Sequence, residues 1–81
     1  MFKEQKGKCA ISGVDISMNM GVNAASIDRK NSNLPYILGN CWWVHKTVNL
    51  MKWNHTIKDF IFWIKIINKN INKKLLKEGI I

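Results

Sequence analysis

Apolar and polar positions alternate differently along successive stretches of the chain, and each pattern predicts a different element. Cys9-Ala-Ile-Ser-Gly-Val-Asp-Ile16 reads as two short extended pieces around a turn at Gly13. A polar stretch follows, Ser17 to Asn23, with Gly21 as a turn, and Ala24-Ala-Ser-Ile-Asp28 has the length and composition of a short strand. The next loop, Arg29 to Asn40, is rich in Asn and Ser, and Cys41-Trp-Trp-Val44 is bulky and β-prone, so it reads as a second strand. From Thr47 to Trp53 the pattern turns helical, and Thr56-Ile-Lys-Asp59 resembles a capping box that opens a longer helix. In that helix Ile57, Phe60, Ile61, Ile64, Ile67 and Ile71 recur at helical spacing, with Phe62, Trp63 and Ile66 widening the stripe. A stripe this wide predicts packing against another surface.

The chain has 81 residues, which is room for one small domain. A domain of this size buries only about 60% of the surface its unfolded form exposes. Large aromatics bury the most area per ordered residue, so Trp42, Trp43, Trp53 and Trp63 are expected in the core, with base stacking as the lesser alternative for one of them.

Charge narrows the chemistry. Thirteen Lys and Arg against five Asp and Glu give a net charge of +8. The acids, Glu4, Asp15, Asp28, Asp59 and Glu78, are scattered, which excludes a nuclease with clustered carboxylates and a glycosidase with a flanking pair. No Gly-x-Ser-x-Gly elbow occurs, which argues against a Ser-His-Asp hydrolase. Two cysteines, Cys9 and Cys41, are too few for a disulfide framework, and the expectation is a reduced, cytoplasmic protein. The start lacks the apolar stretch of a signal peptide, and the longest apolar run, Phe60 to Ile64, is too short to span a bilayer, so no membrane partner is expected. Residues 56–81 carry six Lys against Asp59 and Glu78, a pattern that fits either a solvated helix face or a polyanion site.

The chemistry-bearing residues lie between these elements. Asp28 ends the first strand, and Gly39-Asn40 enters the second. If residues 45–52 are helical, His45, Asn49 and Lys52 share one face at offsets of four and three, bringing an imidazole, an amide and an ammonium beside Asp28. Plainer readings stand next to this one. Asp28 suits a strand end or an Asx turn, Asn40 a turn, His45 a helix cap, and the lysines a solvated surface. Asn49 is unfavourable inside a helix by propensity, so its presence there asks for a reason.

Together, Gly7-Lys-Cys-Ala-Ile-Ser-Gly13, Ser26-Ile-Asp-Arg29, Gly39-Asn40, Trp43-Val-His-Lys46 and Val48-Asn-Leu-Met-Lys-Trp53 resemble the HNH endonuclease family, in its His-Asn-Asn form found in phage and homing-like nucleases. The resemblance implies an α+β fold: a small ββα-metal (His-Me finger) domain with N-terminal short strands and an added C-terminal helix. The nuclease core would cover residues 7–55 and a basic amphipathic helix residues 56–73. It implies that Asp28 and Asn49 bind one divalent ion and that Asn40 orients the general base. Oxygen donors favour Mg²⁺ or Mn²⁺. DNA is the implied partner, with Arg29, Lys30, Lys46 and Lys52 against its backbone, and a phage or bacterial host is the implied setting.

One position departs from the family pattern. Arg29 stands where the general-base His is usual. Arginine cannot accept a proton, although it can bind the scissile phosphate. The base is then expected to be His45, with His55 second, because an imidazole can take up a proton near neutral pH. Many relatives hold a structural zinc on two Cys-x-x-Cys knuckles. Those positions are Cys9 with Ser12 and His45 with Val48 here, so no structural zinc is expected. The implied function is a Mg²⁺-dependent DNA endonuclease, and the alternative is a degenerate DNA-binding module without cleavage. A membrane-active peptide built on the Thr56–Ile71 helix is a third class. Cutting both strands would need two sites, so the apolar helix is expected to join a homodimer.

Overall fold

A computed structural model describes residues 1–80. Strand β1 (Ala25–Arg29) is followed by a 3-10 turn (Leu38–Asn40), strand β2 (Cys41–His45), helix α1 (Lys46–Lys52), helix α2 (Ile57–Asn70) and a π-helical turn (Ile71–Leu75). The fold is therefore a small α+β arrangement of two antiparallel strands and two helices. The ribbon pairs Ala25 with His45, Ser26 with Val44, Ile27 with Trp43, Asp28 with Trp42 and Arg29 with Cys41.

The N-terminal segment completes the ribbon on its open side. The Ala10 N–H donates to the Trp43 carbonyl, and the Gln5 side chain both donates to that carbonyl and accepts from the Trp43 N–H. One glutamine thus satisfies an edge position that a third strand would otherwise pair. Lys8 and Asp15 form an isolated antiparallel bridge and an ion pair across the turn at Gly13, whose φ of 78° suits glycine. The two extended pieces expected over residues 9–16 are thus reduced to a single bridge, with residues 10–12 in a turn. The core is small: Cys9, Ile16 and Val44 are buried, ringed by half-buried Phe2, Ala10, Trp42, Trp43 and Val48.

Both helix starts follow local chemistry. His45 caps α1, its Nδ1 accepting from the Thr47 N–H at 3.1 Å, and Thr56 caps α2, its Oγ1 accepting from the Asp59 N–H at 3.1 Å. The expectation that the α2 stripe is covered is met only in part: Ile57, Ile61 and Ile64 are half-buried beside Phe60, and the wider side of the stripe is open. Phe60 is its one buried residue, whereas Phe62, Trp63, Ile66 and Ile67 are exposed. Among the described residues the sheet has two strands, and α2 faces Ile11, Val48 and Met51 with Phe60, Ile61 and Ile64, which leaves its wider apolar side uncovered. The tryptophans divide accordingly. Trp42 and Trp43 pack on the core, while Trp63 is 53% and Trp53 75% exposed, which corrects the reading of all four as core. Among the described residues no helix is long and apolar enough to cross a membrane.

Candidate functional site

Asp28 is the penultimate residue of β1, its side chain directed inward and only 5% exposed. Its Oδ2 accepts from the indole Nε1 of Trp42, its cross-strand partner, at 2.8 Å. Its Oδ1 accepts from the Lys52 ammonium at 3.0 Å. Lys52, in the last turn of α1, is 1% exposed and gives a second hydrogen bond to the Arg29 carbonyl at 3.1 Å. A lysine is seldom so deeply buried unless it is paired, and here the pair fastens α1 to the end of β1.

Asn49 stands one helical turn before Lys52. Its Nδ2 donates to Ser26 Oγ at 2.6 Å and to the Ile27 carbonyl at 3.4 Å. This orientation leaves its Oδ1 without a donor among the described residues. Arg29, half-buried, donates from Nη1 to the Leu34 carbonyl at 3.3 Å, and its guanidinium lies 4.8 Å from the centre of the Tyr36 ring. Asp28, Arg29, Asn49 and Lys52 line one open cleft of about 350 Å³, with Tyr36 and Trp53 among its other walls. Two cations against one carboxylate leave the cleft net positive, so it attracts an anion.

Asn40 shapes the cleft from outside. Its buried amide accepts from the Asn31 N–H and donates to the carbonyls of Asn31, Leu34 and Pro35, at 3.0 to 3.3 Å. It therefore clamps the loop that carries Tyr36, and no imidazole lies within its hydrogen bonds. Lys30 stacks over Trp42, its Nζ 5.2 Å from the ring centre, and Lys46 is exposed at the start of α1.

His45 is not brought to this site. It pairs with Ala25, three register positions from the Asp28–Trp42 pair, which at ~3.4 Å per residue is about 10 Å along the ribbon. Its nitrogens are also engaged, Nδ1 by the Thr47 N–H and Nε2 with Asn23 Oδ1 at 3.1 Å. Both ring nitrogens are therefore taken up by contacts within the chain, away from the cleft. The physical reason lies in one residue: α1 begins at Lys46, so His45 caps the helix and does not belong to the Asn49–Lys52 face. His55 stands edge-on to Trp53 at 6.4 Å and does not line the cleft.

The divalent ion that the resemblance implies can be tested against these donors. The Lys52 ammonium already occupies Asp28 Oδ1. A dication about 4 Å from that ammonium would meet a repulsion of about 8 kcal/mol at an effective dielectric near 20, twice the value for two unit charges. Among the described residues no three His, Cys, Asp or Glu side chains gather elsewhere. The donors present do not fit the ion while Lys52 holds this position.

At the knuckle positions, Cys9 is a buried hydrogen-bond acceptor. Burial pushes its thiol pKa up, but hydrogen bonds from Ser12, together with backbone donors at Ser12, His45 and Ile11, outweigh this and hold it below the ordinary value. The burial of Lys52 and the placing of Trp53 and Tyr36 at the cleft were not anticipated; the spacing from Asn49 to Lys52 was the available signal. Comparison with known families, curated proteins and solved structures finds no match for this chain.

Proposed function

We propose that the chain binds a nucleic-acid backbone in the cleft between the end of β1 and α1, as an HNH-like module that holds phosphate without the groups needed to cut it. The observation that carries this reading is the pairing of Arg29 and Lys52 in one cleft with a single carboxylate that Lys52 itself neutralises. Arg29 keeps further guanidinium donors beyond the one on Leu34, and their fork matches phosphate oxygens. The net charge of +8 draws a polyanion to this surface over longer range.

A Mg²⁺-dependent endonuclease is the second reading. Asn49 Oδ1, which has no donor among the described residues and lines the same cleft as Asp28, favours it. It requires Lys52 to leave Asp28 and a proton acceptor to come from outside the cleft. Two copies joined through the exposed apolar side of α2 would present two clefts to one duplex, and sedimentation over a concentration series tests that pairing.

Fluorescence anisotropy with labelled DNA across a salt series, run beside plasmid nicking in Mg²⁺ and Mn²⁺, separates the readings. Binding that weakens steeply with salt and no nicking supports the module. Nicking that Asp28→Asn abolishes supports the endonuclease. No binding at any salt refutes both.

A further inference from the structure

Trp53 stands where neither conformation nor burial recommends a tryptophan. It caps the C-terminus of α1 at φ 51° and ψ −121°, a left-handed backbone state that glycine adopts freely and that costs a bulky residue strain. Its indole is 75% exposed, so packing does not offset that strain. The turn is nonetheless firmly held. The Trp53 N–H donates to the Asn49 carbonyl at 3.0 Å, the His55 N–H to the Lys52 carbonyl at 3.0 Å, and Ser32 Oγ to the Asn54 carbonyl at 3.1 Å. His55 meets the indole edge-on, which favours a fixed ring orientation.

The second wall of the same cleft carries another exposed aromatic, Tyr36, 61% exposed and backed by the Arg29 guanidinium. Asn49 lines the same cleft, and its side-chain Oδ1 accepts from no donor among the described residues. Two exposed rings, a free acceptor and a cationic floor make a combination that a phosphate alone does not use.

We infer that the cleft takes an unpaired nucleotide, its phosphate on Arg29 and its base stacked on Trp53, so that the preferred ligand is single-stranded or locally opened nucleic acid. Stacking needs an accessible π-face, which bases in an intact duplex do not present. The inference rests on the proposed reading of the cleft as a phosphate site.

Anisotropy titrations with three labelled ligands of equal length test it: a single strand, its fully abasic backbone, and a blunt duplex. The wild type is expected to bind the single strand most tightly. Trp53→Gly should weaken that binding about 5- to 150-fold, the range for loss of one base stack, and leave the abasic backbone within about twofold. The same substitution relieves the backbone strain, so Tm should rise by about 4–8 °C, which also shows that the variant is folded. Equal wild-type affinity for the single strand and the abasic backbone would overturn the inference while leaving the phosphate reading intact, as would an unchanged affinity in Trp53→Gly. Failure to bind any of the three ligands removes both.

Discussion

Lys52→Met keeps most of the length and apolar stem of the side chain and deletes its charge. In the folded protein Asp28 Oδ1 then loses its donor at 3.0 Å, and the Arg29 carbonyl loses one at 3.1 Å. Water cannot readily take over, since the two side chains of the pair are 1% and 5% exposed. Breaking a buried pair from one side costs about 3–5 kcal/mol, most of it the uncompensated charge left behind. A chain of 81 residues has a total stability of about 4–12 kcal/mol at ~0.05–0.15 kcal/mol per residue, so the loss takes a large share. Urea unfolding followed by tryptophan fluorescence should show a lower midpoint at unchanged slope. Adding Asp28→Asn removes the stranded charge while keeping an oxygen for Trp42, and the double variant should recover more than half the loss. Lys8→Met, which breaks the exposed pair with Asp15, serves as the control at about 0–1 kcal/mol. A loss below about 1 kcal/mol in Lys52→Met would refute the reasoning that burial makes this pair structurally decisive.

The same variant frees Asp28 for a hard cation, so Mg²⁺ should raise the Tm of Lys52→Met and leave the wild type unmoved; an equal rise in both would show that the ammonium does not block the ion. Asn40→Ala strands the donors and acceptors of the 31–35 loop and should cost about 2–4 kcal/mol, with hydrogen exchange at the Asn31 amide accelerated. Cys9 gives a pH signature. The folded protein releases the thiol proton at lower pH than the unfolded chain does, so this contribution is present above the unfolded thiol's pKa and is lost as pH falls through the folded value. The difference in stability between wild type and Cys9→Ser should therefore grow from neutral to alkaline pH, and a pH-independent difference would contradict it.

Local chemistry made most of the fold legible. The first strand, which runs one residue past the expected end at Asp28, the strand starting at Cys41, the turn at Gly13 and the Thr56 cap each rest on residues within a few positions of one another. The site was legible only in part. Asp28 and Asn49 do share a cleft, but His45 was placed on the helix by a spacing argument that failed at a boundary of one residue, where such arguments are weakest. The spacing did put the Lys52 ammonium beside Asp28, but its burial and its second bond to the Arg29 carbonyl depend on the register, which its neighbours along the chain do not encode. The apolar stripe of α2 correctly gave an amphipathic helix, yet periodicity describes one face and says nothing of what is available to lie against it.

Because Asn40 fastens residues 31–35 with four hydrogen bonds, the wall bearing Tyr36 stands in place before any ligand arrives. If the cleft binds nucleic acid as proposed, capture would involve no closing step and would lose little ordering entropy. In rapid mixing, the observed rate should climb in proportion to oligonucleotide concentration without levelling off, its slope set by ionic strength, as for a rigid magnet rather than a hinged trap.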